Sequence, residues 1–379
     1  MKSSSLLALA TLATGVLGAE RLIGGTVAPS GMFPFIVHLF KNDKPNCAGT
    51  LLNAEWVVTA AHCVASRDGA KQGAGFFKVS DPSEHKIGYG TVDGGLHDFV
   101  TVDSIVVNAG FDPVWYTSDI ALLKLNSNGD LVEKTRPAAV SRAAIGEGET
   151  VVTAGWGRVE NDGGQSNALM YAGLVTADNA TCAGGAADWN GQGGRYVCTS
   201  YSTAPGVGTC FGDSGGPLLA NAGGGYELLG LVSFDVNTRD SSNRRCAQDG
   251  NVSYFTRVSS YISFISSTTG ISEDELVDAN SPWGHSNDET DDNSSSSSSS
   301  SDKSSEGVTA VKDDDDGKDD EDEPTNISTP DLPTQDSTTD PYDDNVEDDD
   351  KTDDKTDAAS VSRAVGAGAI IAMVVLLLV

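Results

Sequence analysis

The stretch TCFGDSGGPLL, Thr209 to Leu219, sets one serine, Ser214, between an aspartate and two glycines and closes on a proline. So much backbone freedom around a single hydroxyl suits a tight bend that presents the serine to a cleft. A serine hydroxyl is a poor nucleophile until a base takes its proton, and neutral imidazole does this near pH 7. Upstream, TAAHC places His62 beside Cys63, and SDIALLKL places Asp119 ahead of an apolar run. Alone, each has a plain structural explanation: a packed histidine, a turn aspartate, a glycine loop. Together they supply a nucleophile, a base and an acid that orients the base.

The surrounding chain reads as strands. FPFIVHLF, GTLLNAEWVVTA, TVDSIVVN, DIALLKL, ETVVTAGWG, YELLGLVSF and NVSYFTRVS are short β-branched and aromatic runs, separated by glycine, asparagine and aspartate. Short strands without alternating long helices predict an all-β fold, an antiparallel sandwich or barrel. One amphipathic helix is expected near SSYISFISS. About 250 residues suffice for a substantial core.

Charge divides the chain. Of 55 acidic residues, 31 lie between Ile271 and Ser360, against five lysines and no arginine; the rest carries 24 acids and 19 bases. The segment 270–360 lacks the apolar residues that would offset its ordering entropy, so it is expected to be a disordered, extended acidic tail rich in Ser, Asp and Thr. Its charge would repel nucleic acid, which is therefore not an expected partner. Its aspartates lack the glycine turns and fixed ligand offsets of a calcium loop.

The two ends read as targeting signals. Lys2, the apolar run Leu6 to Leu17 and the small residues before Glu20 fit a secretory signal peptide, 1–19. At the far end, small residues at Ala358-Ala359 and a weakly polar spacer precede IIAMVVLLLV, so 361–379 fits a GPI-type anchor signal. A short membrane-spanning anchor and no anchor at all are the alternatives. Under the first reading the protein is secreted, tethered to the outer cell surface through a lipid, and the acidic segment is a stalk. Secretion permits disulfides. Six cysteines precede residue 250, and spacing does not choose among their pairings.

His62, Asp119 and Ser214, in that order and with those flanking motifs, resemble the trypsin-like (chymotrypsin-fold) serine proteases. The resemblance covers Leu22 to about Thr269. It implies two six-stranded antiparallel β-barrels with a C-terminal helix and a cleft between the barrels. It implies the disulfides Cys47–Cys63, Cys182–Cys198 and Cys210–Cys246. It implies a serine endopeptidase acting on protein or peptide substrates, open to protein inhibitors and needing no cofactor or metal; no calcium ligands are recognised in Val64 to Gly95. Ser214 would attack, His62 would move the proton, Asp119 would orient His62, and the Gly212 and Ser214 N–H groups would form the oxyanion hole. RLIGG resembles the family's activation site. Cleavage after Arg21 would remove a propeptide of only residues 20–21 and free Leu22, whose ammonium would pair with Asp213. Leucine stands there in place of the more usual isoleucine or valine.

The primary pocket departs from the family pattern. The position six before Ser214 is Gly208, so the acid that reads lysine or arginine is missing. The wall strand reads Ser233-Phe234-Asp235, and Ser253 is expected on the second wall. Asp235 attracts a basic side chain, or Asp235 and Ser253 narrow the pocket toward small residues, or Asp235 faces solvent. Asn179 and Asn251 begin glycosylation sequons. A protease-fold binding or inhibitor protein without catalysis is the alternative function, and the altered pocket is its best support.

Overall fold

A computed structural model describes residues 22–277, apart from 70, 72, 127, 128 and 187. The expected signal segment, Glu20-Arg21, the acidic segment beyond Val277 and the C-terminal apolar run lie outside the described residues.

Six strands close the first barrel: Ile36–Lys41, Lys44–Leu51, Trp56–Thr59, His85–Tyr89, Asp98–Val107 and Ala121–Leu125, all antiparallel. The alternation of strand side chains explains both of its faces. Val37, Leu39, Val57, Val100, Val102, Leu123 and Leu125 fill the interior. Their neighbours Ile36, Val58 and Leu122 point the other way, into a larger core.

The second half is a seven-stranded antiparallel sheet, where the resemblance implies a six-stranded barrel. Its order is Thr26–Val27, Met170–Val175, Thr150–Gly155, Pro217–Ala222, Gly225–Asn237, Asn251–Arg257, Tyr196–Ser200. The seventh strand is the two-residue Thr26–Val27 at the edge. The other six curl until one bridge, Thr176 to Thr199, joins the strand ends. Val151, Leu174, Val197, Leu218 and Phe255 line the inside.

The larger core lies where the halves meet. Phe35, Val58, Leu122, Trp156, Leu219 and Leu231 pack there with Ile262 and Ile265 of the helix Ile262–Thr269. The packed chain continues beyond the expected end at Thr269. A further helix, Glu273–Val277, buries Leu276 in the same core, and the Val140 N–H donates to the Leu276 carbonyl at 2.7 Å.

Candidate functional site

His62 sits in the single turn Ala61–Cys63 that follows the strand Trp56–Thr59. The disulfide Cys47–Cys63 fastens that turn to the barrel, and Asn46 Nδ2 donates to the Cys63 carbonyl at 3.2 Å. Both sulfurs beside His62 are consumed in the disulfide, so they offer no thiolate to a metal.

Asp119 enters the strand Ala121–Leu125 from a segment in which Tyr116 and Ser118 hold left-handed backbone, φ 55° and 52°. This aims a fully buried carboxylate at the imidazole. Asp119 Oδ1 accepts the His62 backbone N–H at 2.9 Å, and Oδ2 meets His62 Nδ1 at 2.7 Å. The Ser233 hydroxyl donates to the same Oδ2 at 2.5 Å. A proton on Nδ1 satisfies this contact and makes Nε2 the basic nitrogen of the ring. The Tyr116 ring stands 5.1 Å from the imidazole, centroid to centroid.

Ser214 lies in a bend from the second half, bounded by two glycines in conformations that side chains avoid. Gly212 has φ 98° and Gly215 φ 72°, and a Cβ on Gly215 would stand 2.1 Å from Thr59 Oγ1. The bend is seated on the first barrel: the Ala48 N–H donates to the Ser214 carbonyl at 2.8 Å. The Gly215 N–H donates to Val232 at 2.8 Å. Neither the Gly212 nor the Ser214 N–H donates to a backbone carbonyl among the described residues.

Asp213, next to Ser214 in the chain, is fully buried. It accepts from the Gly157 N–H at 2.8 Å on Oδ1 and from the Cys210 N–H at 2.9 Å on Oδ2. Burial raises its pKa to about 7 despite these donors, with the Asp235 charge adding to the rise. Leu22 is also fully buried, packed on Met170 and Ala172 with left-handed backbone, φ 64°. Its carbonyl accepts from the Gly25 N–H.

The pocket positions divide. The Gly208 N–H donates to Ile23 at 3.1 Å, and Ala247 lies against the position. The hydroxyl of Ser233, an expected pocket residue, donates to Asp119. Asp235 pairs in register with Ser253, and its Oδ2 accepts from the Thr209 hydroxyl at 3.4 Å. The Asp235 carboxylate is partly buried and meets the hydroxyls of Thr209 and Ser253. Burial raises its pKa to about 6, against the lowering effect of the Ser253 and Thr209 hydrogen bonds.

The three disulfides are Cys47–Cys63, Cys182–Cys198 and Cys210–Cys246. The last ties the stretch before Ser214 to the loop that follows the pocket wall. Asn179 is exposed. Asn251 is 7% exposed, and its Nδ2 donates to the Arg245 carbonyl at 2.9 Å. That nitrogen is the one a glycan at this sequon would occupy.

Sequence reasoning missed Thr209, Tyr116 and Gln165. The first two stand within three residues of motif positions, so neighbourhood was the available signal. Gln165 reaches the bend only because the chain folds back between Arg158 and Gln165, which no local pattern announces.

The trypsin family model matches residues 22–265. Pig (Sus scrofa) trypsin is 27% identical over 250 residues, 66% of this chain and 96% of that one. Bovine (Bos taurus) chymotrypsin-like elastase family member 1 is 30% identical over 260 residues, 65% and 88% of the two chains. Mouse (Mus musculus) transmembrane protease serine 11C is 28% identical over 255 residues, 66% of this chain and 54% of that one, so the alignment spans about half of the mouse protein. With a family match over most of its length and the corresponding fold, the chain belongs to the trypsin family of serine proteases.

Proposed function

We propose that this chain is a secreted serine endopeptidase that hydrolyses peptide bonds through an acyl-enzyme. Ser214 is the nucleophile, His62 takes its proton and later gives it to the leaving amine, and Asp119 fixes the imidazole tautomer. The N–H groups of Gly212 and Ser214 receive the oxyanion. The observation that carries this reading is the doubly bonded Asp119–His62 pair, at 2.9 and 2.7 Å around a fully buried carboxylate.

Cleavage after Arg21 activates the enzyme. The new ammonium of Leu22 pairs with Asp213, whose raised pKa fits a buried acid awaiting a counter-charge. Residues 22–277 form the protease domain, with the helix Glu273–Val277 packed on it, 278–360 a stalk, and 361–379 a GPI-type anchor signal. Asp235, held between Thr209 and Ser253, makes the pocket acidic, and the enzyme prefers a cationic side chain before the cut bond.

The test is labelling of the Arg21-cleaved protein with a serine-directed phosphonate. Labelling of wild type and none of Ser214→Ala is the expected result. An unlabelled wild type would favour the binding-protein reading, which Gly208 and Asp235 support by departing from the family's pocket. Release from membranes by a phospholipase that cuts GPI anchors tests the tether, and retention in the membrane would count against it.

A further inference from the structure

The Arg158–Gln165 hairpin grips the bend before Ser214 one residue at a time. At its base, the Gly157 N–H holds Asp213 at 2.8 Å. The Arg158 N–H donates to the Phe211 carbonyl at 2.8 Å, and the Arg158 guanidinium lies 5.1 Å from the Phe211 ring centroid. Arg158 in turn bridges to Gln165. The Gln165 carboxamide rests directly on Gly212: a Cβ on that glycine would stand 2.4 Å from Nε2, 3.0 Å from Cδ and 3.1 Å from Cγ.

The hairpin is pinned at its far end too. Asn161 makes two bonds to Cys246, donating to its carbonyl at 3.1 Å and accepting its N–H at 2.6 Å. Asp162 pairs with Arg245 at 3.0 Å. Gln165 is therefore carried on a loop fixed at both ends.

Gly212 needs such a neighbour. At φ 98° it holds backbone that only glycine adopts readily, and it has no side chain of its own to resist rotation of the adjoining peptide. A rotation there would turn its N–H out of the cleft. We propose that Gln165 is a positioning residue that packs on Gly212 and keeps its N–H aimed at the carbonyl oxygen of the substrate. The inference rests on the protease reading above. Gln165 itself touches no reacting atom; it acts through Gly212. Because the N–H matters most once the oxygen carries charge, the effect falls on the chemical step rather than on substrate binding.

The test compares wild type with Gln165→Ala, Gln165→Asn, which withdraws the carboxamide by one methylene, and Gln165→Met, which keeps the length. All are the full chain cleaved at Arg21. We expect kcat on a peptide substrate to fall about tenfold or more in the Ala and Asn variants, below the ~10²–10³ that follows loss of an oxyanion donor. KM stays within twofold, and Met recovers most of the loss. Affinity for a peptide aldehyde, which forms a tetrahedral adduct, falls by the same factor as kcat. Affinity for an uncleavable peptide with a methylene in place of the reacting carbonyl, which offers the Gly212 N–H no oxygen, does not change. An unchanged kcat in both short variants, or a rise in KM alone, would overturn the proposal. Wild type that neither hydrolyses peptides nor takes the phosphonate label overturns the protease reading and this inference with it.

Discussion

Gly157 donates its backbone N–H to Asp213 Oδ1 at 2.8 Å, inside protein that excludes water from the carboxylate. Two donors do not replace the lost hydration, and the pKa stands near 7 instead of 3.8. An acid with a raised folded pKa holds its proton more tightly in the fold. Its contribution is therefore lost as pH rises from about 4 to about 7, by an amount on the order of a few kcal/mol. Thermal unfolding of the uncleaved Ser214→Ala chain across that range should show a falling midpoint, and Asp213→Asn should flatten it. Cleavage at Arg21 should flatten it as well. Equal slopes in cut and uncut protein would contradict the pairing of Leu22 with Asp213.

Ser233 presents a more local case. Its hydroxyl donates at 2.5 Å to the Asp119 oxygen that meets His62. Removing it leaves a buried carboxylate one donor short, at a cost of about 1.5–3 kcal/mol. Ser233→Ala should lower both the melting temperature and kcat. Asp119→Asn should cost much more, about 10⁴-fold in kcat, because the imidazole then takes the wrong tautomer. Steady-state kinetics with paired melting curves separates the two.

Asp235 should make substrate choice depend on pH. Its pKa near 6 means that the carboxylate is neutral below that value and charged above it. The ratio of cleavage after lysine or arginine to cleavage after a small neutral residue should rise as pH passes 6. Taking a ratio cancels the pH dependence of the chemical step, which both substrates share. Asp235→Asn should give a flat, lower ratio. A wild-type ratio that favours small residues throughout would mean that the side chain narrows the pocket instead.

Leu276 lies outside the span that the strand pattern marks as folded, yet only 3% of it is exposed. Its helix is also held by Arg142 to Glu273 at 3.0 Å and by the Ser263 hydroxyl to Glu273 at 2.7 Å. Leu276→Ala should destabilise the protein by about 2–5 kcal/mol, as large-to-small core changes do. Truncation after Thr269 should do at least as much. Calorimetry of both would show whether the acidic segment begins at Gly270 or after Val277.

The fold class was legible because alternating apolar residues and glycine punctuation recur along residues 33–259. His62 and Asp119, which the structure brings together, each sit in a short motif, as does Ser214. The strands Met170–Val175 and Tyr196–Ser200 escaped notice, since glycine and polar residues dilute their pattern and register with partners sets them. Leu276 was missed because a charged EDELV segment gives up one leucine to a core formed by residues far away in sequence. Asp235 and Gln165 depend on what faces them across a gap, and a linear pattern does not encode that. Asn251 shows the converse: a sequon is local, but access to its nitrogen is not.

The Ala48–Ser214 hydrogen bond has a wider meaning. One half of the molecule supplies His62 and Asp119, and the other supplies Ser214; this bond is the registration mark between them. A small slip of one half against the other would leave each half intact and still displace Ser214 relative to His62. Loss of activity under mild heat or denaturant should therefore precede loss of strand structure, with misalignment rather than unfolding as the first failure.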